Sequence, residues 1–115
     1  SKFLFEFSYQ PILGGADWGT RAGLPVQVLR HTTNGSEGLP PGVAFRTWRA
    51  ADGVDGFEAV GGERDAEWTL SAAGDGRVLA SASADERSLP VSNGGYALRV
   101  PADAVVRGTL RWERR

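Results

Sequence analysis

Cysteine and methionine are absent from this 115-residue chain, and lysine and histidine occur once each. Without cysteine there is no disulfide framework and no thiolate metal centre, and a single histidine would leave any zinc site to be completed by carboxylates. No cofactor is expected. Long apolar runs are also missing, so no segment approaches the ~20 residues of a membrane-crossing helix. Neither sign of charge is in excess: thirteen basic and fourteen acidic side chains leave a net charge of −1. That balance removes both the self-repulsion that keeps chains disordered and the basic surplus that nucleic acid attracts. The chain opens on Ser1-Lys2-Phe3 with no signal-peptide core. Because it does not begin with methionine, export stays open, and an extracellular or cell-surface setting is slightly favoured.

What the chain does contain is β-sheet punctuation. Sixteen glycines and six prolines separate short stretches of period-two alternation, and no window of a dozen residues carries a helical period. Lys2–Tyr9 alternates Phe3, Phe5, Phe7 and Tyr9 against Glu6 and Ser8, the clearest strand pattern in the chain. A glycine-rich loop over Gln10–Leu24 follows, and strand character resumes over Pro25–His31. Turn residues then dominate Thr32–Gly42.

Val43–Ala50 is β-rich with apolar residues on both faces, and Asp52-Gly53 closes it. Shorter strands are expected at Gly56–Val60 and Ala66–Ala72. Asp75-Gly76 has the form of a two-residue hairpin turn, which would pair Ala66–Ala72 with Arg77–Ala82. Ser83–Gly95 reads as a polar connection. Tyr96–Val100 and Ala104–Glu113 alternate cleanly and put Trp112 inward, as Ala66–Ala72 does Trp68. A chain of this length buries about two-thirds of its unfolded surface, enough for one core. The expected fold is an all-β, antiparallel sandwich of seven to nine strands over residues 1–115, immunoglobulin-like or jelly-roll-like in general arrangement, with little or no helix.

Catalytic constellations are hard to assemble from these residues. Any serine or threonine triad must run through His31, and no Gly-x-Ser-x-Gly elbow presents a nucleophile; the expectation is a surface histidine at a strand end. Residues 51–75 hold seven acids against one arginine, among them Asp52, Asp55, Glu58, Glu63, Asp65 and Glu67. They read chiefly as a solvated acidic face. Asp52, Asp55 and Glu58 are a weak calcium candidate, since Asp52-Gly53-Val54-Asp55-Gly56 supplies oxygens and sharp turns but not EF-hand spacing. Twelve of the thirteen basic residues are arginine, a composition like that of GC-rich bacterial genomes. Arg99, Arg107, Arg111, Arg114 and Arg115 could reach the exposed faces of the last two strands. With aromatics alternating inward instead of standing among them, nucleic acid is not the expected partner.

Two tryptophans remain for binding. Trp18 sits beside Asp17 in the loop Gly14-Gly15-Ala16-Asp17-Trp18-Gly19, and Trp48 shares a strand face with Arg46, where a cation–π stack can form. The resulting expectation is a non-enzymatic protein-interaction or structural module, part of a larger protein or of an assembly, with Trp18, Trp48, Arg46 and Asp17 as contact residues. The alternative is a carbohydrate-binding module using the same tryptophans.

Overall fold

The computed structural model describes residues 29–74 and 76–114. Within them the chain forms ten strands and no helix: β1 (Leu29–Thr33), β2 (Ser36–Glu37), β3 (Ala44–Ala51), β4 (Val54–Val60), β5 (Ala66–Ala72), β6 (Arg77–Ala84), β7 (Arg87–Ser88), β8 (Val91–Ser92), β9 (Gly95–Val100) and β10 (Val105–Arg114). They make two five-stranded antiparallel sheets, the first in the order β2-β1-β5-β9-β8 and the second in the order β3-β4-β10-β6-β7. The sandwich read from the alternation is therefore the fold. Ten strands exceed the expected seven to nine because β2, β7 and β8 are two-residue arms folded back on their neighbours.

Each arm is made by a two-residue turn with both residues left-handed: Asn34-Gly35 (φ 51° and 81°), Asp85-Glu86 (52° and 65°) and Asn93-Gly94 (50° and 80°). This is the twist that joins two antiparallel strands without splaying them, and asparagine and glycine enter it at little steric cost. The polar stretches Thr32–Gly42 and Ser83–Gly95 thus hold hairpins where loops were expected. The hairpin expected at Asp75-Gly76 does not form. β5 belongs to the first sheet and β6 to the second, so the chain changes sheets between Ala72 and Arg77. An alternating strand reveals which face it buries but not which strand it pairs with, and a Gly-rich link serves a crossover as well as a turn.

The core lies between the sheets. Trp68, Leu70, Leu98 and Val100 from the first sheet meet Phe57, Ala59, Ala82, Val106 and Leu110 from the second, all buried. Even-numbered residues of β5 and β10 point inward, as the period predicts. At about 25 cal/mol per Å² of apolar surface, each large side chain of this set contributes roughly 1.5–3 kcal/mol by leaving water. One irregularity ties the two sheets together. The β6–β10 register shifts between Arg111 and Trp112, leaving Ala80 without a partner on β10, and the Ala80 carbonyl instead accepts a 2.6 Å hydrogen bond from the Tyr96 hydroxyl of the first sheet.

The strand expected over Lys2–Tyr9, the loop that follows it, and most of Pro25–His31 lie outside the described residues. β1 begins at Leu29, inside the last of these.

Candidate functional site

The outer face of the second sheet is built from rows of side chains that run across its strands. β3 pairs with β4 and β4 with β10 so that Trp48, Gly56 and Thr109 stand side by side, followed by Ser83 on β6. Gly56 has an ordinary extended backbone, yet a Cβ there would come within 2.5 Å of Trp48 Cε2 and 2.6 Å of its Nε1. The glycine is needed for space: the indole is seated on the backbone of β4, where any larger residue would collide with it. Arg46, two residues earlier on the same face, holds its guanidinium carbon 5.5 Å from the Trp48 ring centroid, within cation–π range. Farther along the row, Ser83 and Thr109 join their hydroxyls at 2.9 Å.

The neighbouring row is ionic. Arg46 Nε donates to Glu58 Oε1 at 3.1 Å and Arg107 Nε donates to Glu58 Oε2 at 2.9 Å, so one carboxylate joins β3, β4 and β10. The Glu58 side chain is only 15% exposed beneath two arginines, while that of Arg107 is 70% exposed. Together, Trp48, Arg46, Glu58 and Arg107 give the face a half-buried aromatic held in place from both sides and an open guanidinium beside it.

On the inner face of the same sheet, past the apolar core, lies a second polar group. Asp55 is buried; Arg49 Nε donates to its Oδ1 at 2.7 Å, and the Trp112 indole N–H donates to its Oδ2 at 3.0 Å. Both oxygens are satisfied, the condition under which a charge can leave water.

These contacts separate the three acids read as a calcium candidate. Asp55 and Glu58 lie three residues apart on one strand and therefore on opposite faces; each is taken by arginine, and Asp52 stands exposed in the β3–β4 turn. Among the described residues no three metal-ligating side chains of this kind converge. The acidic segment is likewise not one solvated face: Glu63, Asp65 and Glu67 are exposed, but Asp55 is interior.

His31 is also not the surface residue it was read to be. It stands opposite Leu70 on β1, half-buried between the sheets, with the edge of its ring against Phe45 at 4.6 Å between centroids. Its Nδ1 accepts the Trp68 indole N–H at 3.0 Å. Burial lowers its pKa from 6.5 to about 4, because the charged imidazolium would leave water. Phe45 and Phe57 stack beside it at 5.3 Å, which makes His31 one member of an interior aromatic cluster. A histidine neutral near pH 7 that accepts from a core tryptophan fits a packing role.

Of the expected contact residues, Arg46 and Trp48 are brought together, as their shared face implied; Asp17 and Trp18 lie outside the described residues. Gly56 is a member of the same surface that the sequence reading did not single out; Glu58, read as a calcium candidate, and Arg107, read as an exposed strand-face arginine, join it as an ion pair with each other and, through Glu58, with Arg46. A glycine in mid-strand with a tryptophan on the preceding strand was the available signal for Gly56. The terminal arginines do not form one track: Arg99 is on the first sheet, Arg107 and Arg111 are on the outer face of the second, and Arg114 sits at the end of β10. Arg115 lies outside the described residues. Among those residues no helix is long and apolar enough to cross a membrane. No family model, curated protein or solved structure matches the chain.

Proposed function

We propose that this chain is a non-catalytic interaction module that meets a protein partner, or another copy of itself, through the outer face of the second sheet. The observation that carries the reading is Trp48 seated on Gly56 with Arg46 beside its ring. Tryptophan and arginine dominate the energetics of protein contacts, and a side chain already held in place loses little entropy when a partner covers it. Support for the absence of catalysis comes from the groups that would have to perform it. His31 is engaged as an acceptor inside the sandwich, and Asp55 and Glu58 each hold arginine.

The test compares the wild-type chain with Trp48→Ala, a change at a surface ring whose folding is checked by circular dichroism. Self-association is measured by sedimentation equilibrium, and binding to partners by affinity capture. A self-contact or captured protein that is lost on substitution supports the proposal; identical behaviour of the two folded proteins contradicts it.

A second reading, carbohydrate binding, is favoured by one feature of the same face: the indole lies in one row with the Ser83–Thr109 hydroxyl pair, and sugars are bound by aromatic stacking together with hydroxyl hydrogen bonds. Titration with a panel of polysaccharides, followed by tryptophan fluorescence, decides it. Saturable quenching lost in Trp48→Ala supports sugar binding, and no change with any glycan removes it.

A further inference from the structure

Both asparagines of the chain are followed by glycine, and both pairs form turns of the two-residue arms: Asn34-Gly35 joins β1 to β2, and Asn93-Gly94 joins β8 to β9. All four residues are exposed. Among the described residues, neither carboxamide makes a hydrogen bond and neither glycine N–H donates one. A Cβ on Gly35 or Gly94 would meet nothing within 4 Å, so the space beside each glycine nitrogen is open. An asparagine carboxamide is chemically labile next to such a nitrogen, because glycine has no side chain to obstruct the approach of one to the other.

We propose that these two turns are sites of self-modification by deamidation. The backbone nitrogen of Gly35 or Gly94 gives its proton to solvent and bonds to Cγ of the preceding asparagine. The Cγ–Nδ2 bond breaks and that nitrogen leaves as ammonia, which closes a succinimide ring between the two residues. Water then opens the ring at either carbonyl. Cleavage at Cγ yields aspartate, and cleavage at the backbone carbonyl yields isoaspartate, in which the main chain runs through Cβ and Cγ. Water is the sole co-reactant.

The two products act differently on the fold. Aspartate is already accommodated in such a turn: Asp85 holds the first position of the third arm turn at φ 52°, beside 51° for Asn34 and 50° for Asn93. Isoaspartate puts an extra methylene into the main chain, and the pairing of a hairpin is set by the length of its loop. At Asn34 the pairing at stake is Thr33↔Ser36, continued by the Gly38 N–H donating to the His31 carbonyl at 2.8 Å. At Asn93 it is Ser92↔Gly95 and Val91↔Tyr96, continued by the Ala97 N–H donating to the Pro90 carbonyl at 2.9 Å. Isoaspartate therefore releases the arm from its neighbouring strand, whereas aspartate adds a negative charge and keeps the turn. Both arms belong to the first sheet, and the inference does not depend on the function proposed for the outer face of the second.

The experiment incubates the full chain at mildly alkaline pH, folded in buffer and in parallel unfolded in guanidinium chloride, and follows both asparagines by peptide mapping with mass spectrometry. The expected result is conversion at Asn34 and Asn93 in the folded chain at rates within about tenfold of the unfolded chain, because exposed turn tips open at little cost in free energy. Folded rates slower than that, or no conversion in either state, overturn the proposal. Amide exchange then separates the products. The Ala97 N–H of the form carrying isoaspartate at position 93 is expected to lose protection by about tenfold or more, while the Asn93→Asp variant keeps it. Equal protection in the two forms overturns the release of the arm.

Discussion

Trp68 donates its indole N–H to His31 Nδ1 across 3.0 Å between two neighbouring strands of one sheet, a bond that only the neutral imidazole can accept at that nitrogen. Burial holds the folded pKa near 4, against 6.5 for the free side chain. In the unfolded chain His31 takes up its proton first as the pH falls, so the unfolded state binds more protons between these two values. The stability contributed by neutral His31 is therefore fully present above about pH 6.5 and is lost progressively down to about pH 4. We expect a loss of about 2 kcal/mol across that window, less than the whole shift would give because the ring keeps some access to water. Chemical denaturation at a series of pH values measures it, and His31→Phe should remove this part of the slope while costing roughly 1–3 kcal/mol at neutral pH for the stranded Trp68 donor.

Asp55 is the one charged residue of the described chain that is buried outright, and it sits between a cation and an indole. Asp55→Ala leaves the largely buried Arg49 guanidinium without its anion and should cost about 3–5 kcal/mol, close to the whole stability of a small domain. Asp55→Asn keeps an acceptor for Trp112 and should lose less. Urea unfolding of both variants checks the order.

The turn at Asp85-Glu86 puts two non-glycine residues in the left-handed region (φ 52° and 65°), where the other two arm turns have glycine in second place. Glu86→Gly should relieve that strain and raise stability by up to about 1 kcal/mol, with part of the gain offset by the greater freedom of glycine in the unfolded chain. The thermal midpoint reports it as a rise of a few degrees.

Much of the architecture was legible because the chemistry that buries a residue in a sheet is a local period. Trp68, Leu70, Leu98, Val100, Leu110 and Trp112 all fall inward where the alternation puts them. The errors arose where the deciding partner is far away in the chain. Nothing near Asp75-Gly76 records that Arg77 begins a strand of the opposite sheet, and nothing near His31 records Trp68, 37 residues later. Asp55 reads as a surface acid because its segment is acidic; its interior place depends on Trp112, 57 residues away. The Arg46–Trp48 pair was legible because both residues belong to one strand. Arg107, which completes the Glu58 row, comes from a strand 49 residues on.

Gly56→Ala examines how the indole is held. A Cβ placed 2.5 Å from Trp48 Cε2 must push the ring off the sheet, and we expect about 1–3 kcal/mol of destabilisation together with a red-shifted emission as the indole meets water. Paired with Trp48→Ala, which removes the collision, the same substitution should cost far less, and that difference is the coupling between the two positions.

The central claim is that the outer face of the second sheet, built on Trp48, is where this chain makes its contacts. The most direct measurement is the affinity of folded wild-type and folded Trp48→Ala chains for the same captured partner, or for themselves, by sedimentation or surface plasmon resonance. The account predicts a loss of at least tenfold on substitution; equal affinities would contradict it.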